Sequence, residues 1–202
     1  MNRALILVDI QNDFMKGGSL EVPNANEIIP VVNKLLKEKD WDLIVATKDW
    51  HPKEHKSFAS NHEGKNVFEV VKLGGVDQIL WPDHCVAETK GSELHKDLFI
   101  KFINEYVLKG TNPEVDSYSG FFDNGQLFET DLCELLDDNE ISEVYIVGLA
   151  TDYCVKFTAL DAVGLGFDTY VVVDAVRGLG GAEAALVEMQ EGVYLITSET
   201  IN

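Results

Sequence analysis

Cys154 stands in the segment Gly148-Leu149-Ala150-Thr151-Asp152-Tyr153-Cys154, directly after the apolar run Val144–Val147 and directly before a helix-like pattern. A thiol in the first turn of a helix faces unpaired N–H groups and the positive end of the helix dipole, which favour the thiolate and lower the cysteine pKa. The same N–H groups can hold an oxyanion once sulfur has attacked a carbonyl, so Cys154 reads as a nucleophile. Asp9 closes an apolar run in Val8-Asp9-Ile10-Gln11-Asn12-Asp13-Phe14, and Lys109 follows another in Leu108-Lys109-Gly110. Asp9 would take the thiol proton as general base, while Lys109 would hold the carboxylate by its charge and stabilise negative charge nearby. Backbone N–H groups of Ala150 and Cys154 would bind the oxyanion. Each residue alone has an ordinary explanation: a capping acid, a solvated lysine, a buried core cysteine. Their shared position at strand ends is what singles them out. Cys85 and Cys133, away from such ends, read as structural.

A second constellation has metal character. Asp49-Trp50-His51 places a carboxylate and an imidazole on one side of an extended backbone, and His84, in Trp81-Pro82-Asp83-His84-Cys85, offers a third ligand. One carboxylate and two imidazoles suit a single divalent transition metal, Zn2+ first, with Fe2+ or Mn2+ as alternatives. With a thiol already available, the metal would grip a basic heteroatom of the substrate, and Phe14, Trp81 and Tyr118 would flank a flat ring. His55 and His62 read as supporting or surface groups, and His95 as part of an exposed helix. The two constellations are expected to be separate, so that replacing Lys109 leaves metal content unchanged.

Six short apolar runs must carry these residues: Ala4–Val8, Leu43–Thr47, Tyr106–Leu108, Val144–Val147, Thr169–Val173 and Tyr194–Thr197. They lack clean alternation, as strands of a parallel sheet buried on both faces do. Helical patterns lie between them: one capped by Asn26 with Ile29, Val32, Leu35 and Leu36 on a face, one built on Phe128, Leu132, Leu135 and Leu136, one from Val155 to Val163, and Ala182–Gln190. The expectation is an α/β protein, a three-layer α/β/α sandwich with a six-stranded, mostly parallel, doubly wound sheet. Ligands of such sheets bind at the carboxyl ends of the strands, where all the suspect residues fall. From about 50 to 100 no strand is convincing and only weak helical patches such as Glu93–Leu98 appear. A connection that long is expected to be functional.

The 202 residues read as a single domain, 1–202, with that metal-bearing stretch as an insertion. A net charge of −19 argues against nucleic acid and against an anionic membrane surface, and the acidic stretch Asp131–Glu143 reads as a solvated helix face. It also disfavours uncontrolled association while remaining compatible with a specific homo-oligomer. The three cysteines show no CxxC spacing, and the first apolar run is too short for a signal-peptide core. No segment approaches membrane-spanning length, so reduced thiols in a cytoplasmic protein are expected.

With these residues assembled, the chain resembles the nicotinamidases, which also hydrolyse pyrazinamide, within the isochorismatase-like cysteine hydrolases. The resemblance is carried by Val-Asp-Ile-Gln-Asn-Asp-Phe at 8–14, Thr-Lys-Asp-Trp-His-Pro at 47–52, His-Lys-Ser-Phe-Ala at 55–59, Leu-Trp-Pro-Asp-His-Cys-Val at 80–86, Lys-Gly at 109–110, Ser-Gly-Phe-Phe-Asp at 119–123 and Gly-Leu-Ala-Thr-Asp-Tyr-Cys-Val at 148–155. It implies Asp9, Lys109 and Cys154 as a catalytic triad and Asp49, His51 and His84 as metal ligands. It further implies a cis peptide between Leu149 and Ala150, pocket roles for Phe14 and Trp81 and, less directly, Tyr118, and a metal on the pyridine nitrogen. The implied reaction is nicotinamide plus water giving nicotinate and ammonia, in NAD salvage. A cysteine amidase of the same fold with another small amide substrate is the alternative.

Overall fold

The structure is a computed structural model that describes residues 1–201. Its centre is a six-stranded sheet in the order β5-β2-β1-β6-β7-β8, formed by β1 (Asn2–Val8), β2 (Leu43–Asp49), β5 (Glu105–Lys109), β6 (Ile141–Leu149), β7 (Asp168–Arg177) and β8 (Tyr194–Ile196). Every neighbouring pair in this sheet is parallel. All six apolar runs are therefore strands.

The missing alternation has a direct cause. In β1, Leu5 and Leu7 face a core shared with Ile28, Ile29, Val32, Leu35 and Leu36 of α1 (Ile28–Glu38). Ala4, Ile6 and Val8 face the opposite core, which holds Leu132 and Leu136 of α2 (Leu132–Asp138), Ala159 and Ala162 of α3 (Lys156–Gly164), and Met189 of α4 (Ala182–Met189). A strand with helices on both sides must be apolar at every position. This is the three-layer arrangement expected.

Several local expectations are corrected. The stretch 50–100 contains an antiparallel hairpin, β3 (Val70–Leu73) with β4 (Val76–Ile79), turned by Gly74 and Gly75 at positive φ. Residues 93–98 form no helix, and His95 is a half-buried loop residue facing Asn26. Asn26 does not cap α1; it lies in a short 3₁₀ turn, Ala25–Glu27, and its Oδ1 accepts the Lys16 N–H. Phe128 lies outside α2, because Asp123 accepts the N–H groups of Gly125, Leu127 and Phe128 and holds them in a turn. No helix of the described residues is long and apolar enough to cross a membrane.

Candidate active site

Four adjacent strands end at one rim. In β5–β2 the register pairs Lys109 with Asp49, and in β1–β6 it pairs Val8 with Gly148. Gly148, at φ 119°, permits that last contact, since a Cβ there would sit 2.1 Å from the Val8 carbonyl oxygen. Beyond β6 the Leu149–Ala150 peptide is cis, and a π-helical turn, Thr151–Val155, carries Cys154 into α3.

Lys109 is the hub. Its Nζ lies 2.9 Å from Asp9 Oδ2 and 3.5 Å from Cys154 Sγ, donates to the Ser117 carbonyl at 2.8 Å, and pairs with Asp49 Oδ1. All four side chains are buried. Asp9 Oδ1 accepts the Thr47 hydroxyl at 2.7 Å, which aims the carboxylate. Its Oδ2 has the ammonium as charge partner but accepts no well-directed hydrogen bond, leaving a lone pair for a thiol proton. The sequence expectation of two separate constellations fails here: one ammonium joins the acid of the first to the carboxylate of the second.

The protonation pattern follows from burial. Burial would lower the Lys109 pKa, but Asp49 and Asp9 overcome it and hold the ammonium well above its ordinary value. Burial raises the Asp9 carboxyl; Lys109 opposes this and Asp49 reinforces it. The Cys154 thiol is pushed well up, first by burial and then by Asp9 and Asp49, against the pull of Lys109. Burial and the two carboxylates thus push the thiol in the opposite direction to the helix terminus, and the Asp9 carboxylate, itself raised, is placed to accept its proton.

The metal-type residues converge as well. One ligand atom from each of Asp49, His51 and His84 lies within 4.8 Å of the others. The His51 Nδ1 contact to Gly110 O (2.9 Å) and the His84 Nδ1 contact to Pro82 O (2.8 Å) are donations by the rings, because carbonyl oxygens only accept. In the neutral rings Nε2 is then the lone-pair nitrogen, and it faces Asp49 Oδ2 at 3.6 and 3.7 Å. His51 Nε2 is buried with no hydrogen-bond partner, as an atom kept for a cation would be. Gly110 is required beside it, since a Cβ would come 2.3 Å from His51 Cε1. The donor set fits a divalent transition metal.

His55 is buried rather than superficial, and its ring lies close to His51 and Asp116. Its Nδ1 accepts the Ser57 N–H, so the neutral ring carries its proton on Nε2, and burial lowers its pKa to about 4. His62 is half-buried and bonds the Lys56 carbonyl.

The insertion delivers the remaining wall. His51 pairs with Val86 in a bridge and Phe58 with Trp81, which sets His84 and Trp81 over the rim. Phe14, Trp81 and Tyr118 line a narrow cavity together with Ala150 and Cys154. Leu20, Asp116, Tyr153 and Leu179 also line it and were missed; only Tyr153, adjacent to the thiol, carried a local signal. Tyr153 stands edge-on to Trp81 (ring centroids 5.0 Å apart) and to Tyr118 (5.5 Å). Asp152 accepts the N–H groups of Leu179, Gly180 and Gly181, tying the loop that bears Leu179 to the nucleophile turn.

The chain belongs to the isochorismatase family, whose domain description matches residues 3–200. Within that family it is similar to the nicotinamidase of Escherichia coli (strain K12), with 48% identity over 182 residues, covering 88% of this chain and 84% of the relative. Its fold is similar to that of the Acinetobacter baumannii nicotinamidase/pyrazinamidase, at TM-score 0.95 and 44% identity over 100% of this chain and 98% of that one. A pyrazinamidase of Pyrococcus horikoshii in complex with zinc is similar at TM-score 0.76 and 42% identity, over 98% and 99% of the two chains.

Proposed function

We propose that this protein is a nicotinamidase: an amidohydrolase that converts nicotinamide and water to nicotinate and ammonia in NAD salvage, and that also converts pyrazinamide to pyrazinoate. The observation that carries the reading is the meeting of Asp9, Lys109 and Cys154 at one buried point, with Lys109 Nζ 2.9 Å from the acid and 3.5 Å from the sulfur. Asp9 removes the thiol proton as Cys154 Sγ attacks the carboxamide carbon, and the Ala150 and Cys154 N–H groups receive the negative oxygen. Asp9 then returns the proton to the amine, the C–N bond breaks and ammonia leaves a thioester. Water, deprotonated by Asp9, attacks that thioester, and the carboxylate product leaves as the thiol regains its proton. Lys109 stays charged throughout, which favours the anionic form of Asp9 before each of its two proton abstractions, from the thiol and from water.

Asp49, His51 and His84 would hold the metal, zinc in the first instance, which when bound supplies a Lewis acid for the ring nitrogen. The aromatic wall of Phe14, Trp81 and Tyr118 confines a flat heteroaromatic ring against it. We place the reaction in the cytoplasm, where these free cysteines stay reduced. The test is ammonia release from nicotinamide, pyrazinamide and benzamide by wild type and Cys154→Ala. Release from the first two, weak release from benzamide and none from the variant are expected. Release from other small amides but not from nicotinamide would replace this reading with a different cysteine amidase of the same fold.

A further inference from the structure

Where β1 ends, a side chain takes the place of the missing strand. The β1–β2 ladder stops at the pair Leu7–Ala46, and β1 then turns away at Asp9, whose φ is 49°. Asp49, the last residue of β2, lies beyond that ladder. The Trp50 N–H donates to the Lys109 carbonyl at 2.9 Å, on the β5 side. Across the trans peptide the Asp49 carbonyl faces the opposite way, toward the space that β1 has left. Gln11, fully buried, fills that space: its Oε1 accepts the Asp49 N–H at 2.9 Å and its Nε2 donates to the Asp49 carbonyl at 2.8 Å. The remaining Nε2 hydrogen goes to the Ser92 carbonyl at 3.0 Å.

Each partner has a fixed role. A main-chain N–H only donates and the two carbonyls only accept, so the amide orientation is determined and both of its hydrogens are used. A carboxylate of the same length has no hydrogen to give, and an aliphatic side chain has neither function. Gln11 does not line the substrate cavity, and it acts on Asp49 alone among the site residues. The main chain it grips sets where the Asp49 side chain points: Oδ1 toward Lys109, and Oδ2 toward Nε2 of His51 at 3.6 Å and of His84 at 3.7 Å.

We propose that Gln11 is the positioning residue of the metal centre, holding the Asp49 main chain so that its carboxylate is set beside the two imidazoles before the cation arrives. The proposal rests on the metal-site reading given above and deepens it. Without the amide, the N–H and carbonyl of Asp49 lose their partners in a buried place, and the carboxylate is no longer fixed against His51 and His84. Gln11 also donates its own N–H to the Asp9 carbonyl at 2.8 Å, so one tight turn sets both the proton acceptor and the metal carboxylate.

The test is direct zinc titration of metal-stripped protein against a competing chelator, for wild type, Gln11→Met and Asn104→Ala, with urea unfolding of each metal-free protein. Asn104 Oδ1 accepts the Ile44 N–H at 2.8 Å, so Asn104→Ala removes a side-chain bond to the same strand roughly 16 Å from Asp49. Gln11→Met is expected to weaken zinc binding about tenfold to a hundredfold. Asn104→Ala should lower stability while leaving zinc affinity within about twofold of wild type, because the sites are distant. Should Gln11→Met unfold, Gln11→Asn carries the same expectation, because its shorter amide cannot span both groups of Asp49. Zinc affinity of the Gln11 variants within about twofold of wild type, or an equal loss in Asn104→Ala, would overturn the proposal and leave the metal site standing. Wild-type protein that takes up no zinc would overturn the proposal together with the metal site itself.

Discussion

Replacing Lys109 by methionine probes the joint between the two halves of the site. The stem volume is kept while the charge between Asp9 and Asp49 is lost. At the observed 2.9 Å, the ammonium–Asp9 attraction is about 6 kcal/mol for an effective dielectric of ~20. Its removal gives back the several kcal/mol of desolvation that the buried ammonium had cost, so a net loss of about 3–5 kcal/mol is expected for the metal-free protein. For a chain of this length that corresponds to a fall in Tm of roughly 6–20 °C. A carboxyl deprived of its cation takes up a proton in the folded state at a pH where the unfolded chain has released it. Stability of the variant should therefore fall as pH rises from the unfolded carboxyl value toward the raised folded one. A bound dication beside Asp49 supplies substitute charge, so zinc should shrink the loss. Each 1.4 kcal/mol by which it does so equals about a tenfold tighter zinc affinity in the variant. Urea unfolding with chelator and with zinc, beside a direct zinc titration, measures both arms. A metal-free loss below about 1 kcal/mol, or a loss that zinc enlarges, would refute this account; ammonia release should vanish in either state.

Thr47→Val removes the hydroxyl that bonds Asp9 Oδ1, which favours the protonated acid. The acid limb of the kcat/KM profile should move to higher pH, and an unmoved limb would separate Asp9 from the proton transfers. Asp152→Ala leaves three backbone N–H groups without their carboxylate, with an expected cost of about 2–3 kcal/mol in urea unfolding and a raised KM through the loosened Leu179 loop. Chelation should abolish ammonia release and zinc should restore it, whereas a chelated enzyme of full activity would exclude the metal from the reaction.

The sheet was readable because Leu5, Leu7, Ala4 and Ile6 are apolar on both faces, a pattern only a covered parallel strand requires. The rim followed from it: once the strands are known, Asp9, Asp49, Lys109 and Cys154 fall at their ends. The β3–β4 hairpin escaped notice because Lys72, Asp77 and Gln78 make its strands look like loop, although Gly74-Gly75 is a hairpin signal. The helix terminus was legible beside Cys154, but the burial and the two nearby carboxylates that push its thiol the other way were not, because they come from distant strands. Fusion of the two constellations depends on the Lys109–Asp49 register, which composition and periodicity do not encode.

β5 is one of the two edge strands of the sheet, hydrogen-bonded to β2 on one side only, and Lys109 is its last residue. Border strands open at lower free energy than the interior of a sheet. Warming should therefore withdraw the cation from the thiol and the acid while the remaining strands still stand. Catalysis would then fail some degrees below the melting transition, with early deuterium uptake at 105–109 as its signature, and the durability of this enzyme would be governed by the hem of the sheet rather than by its middle.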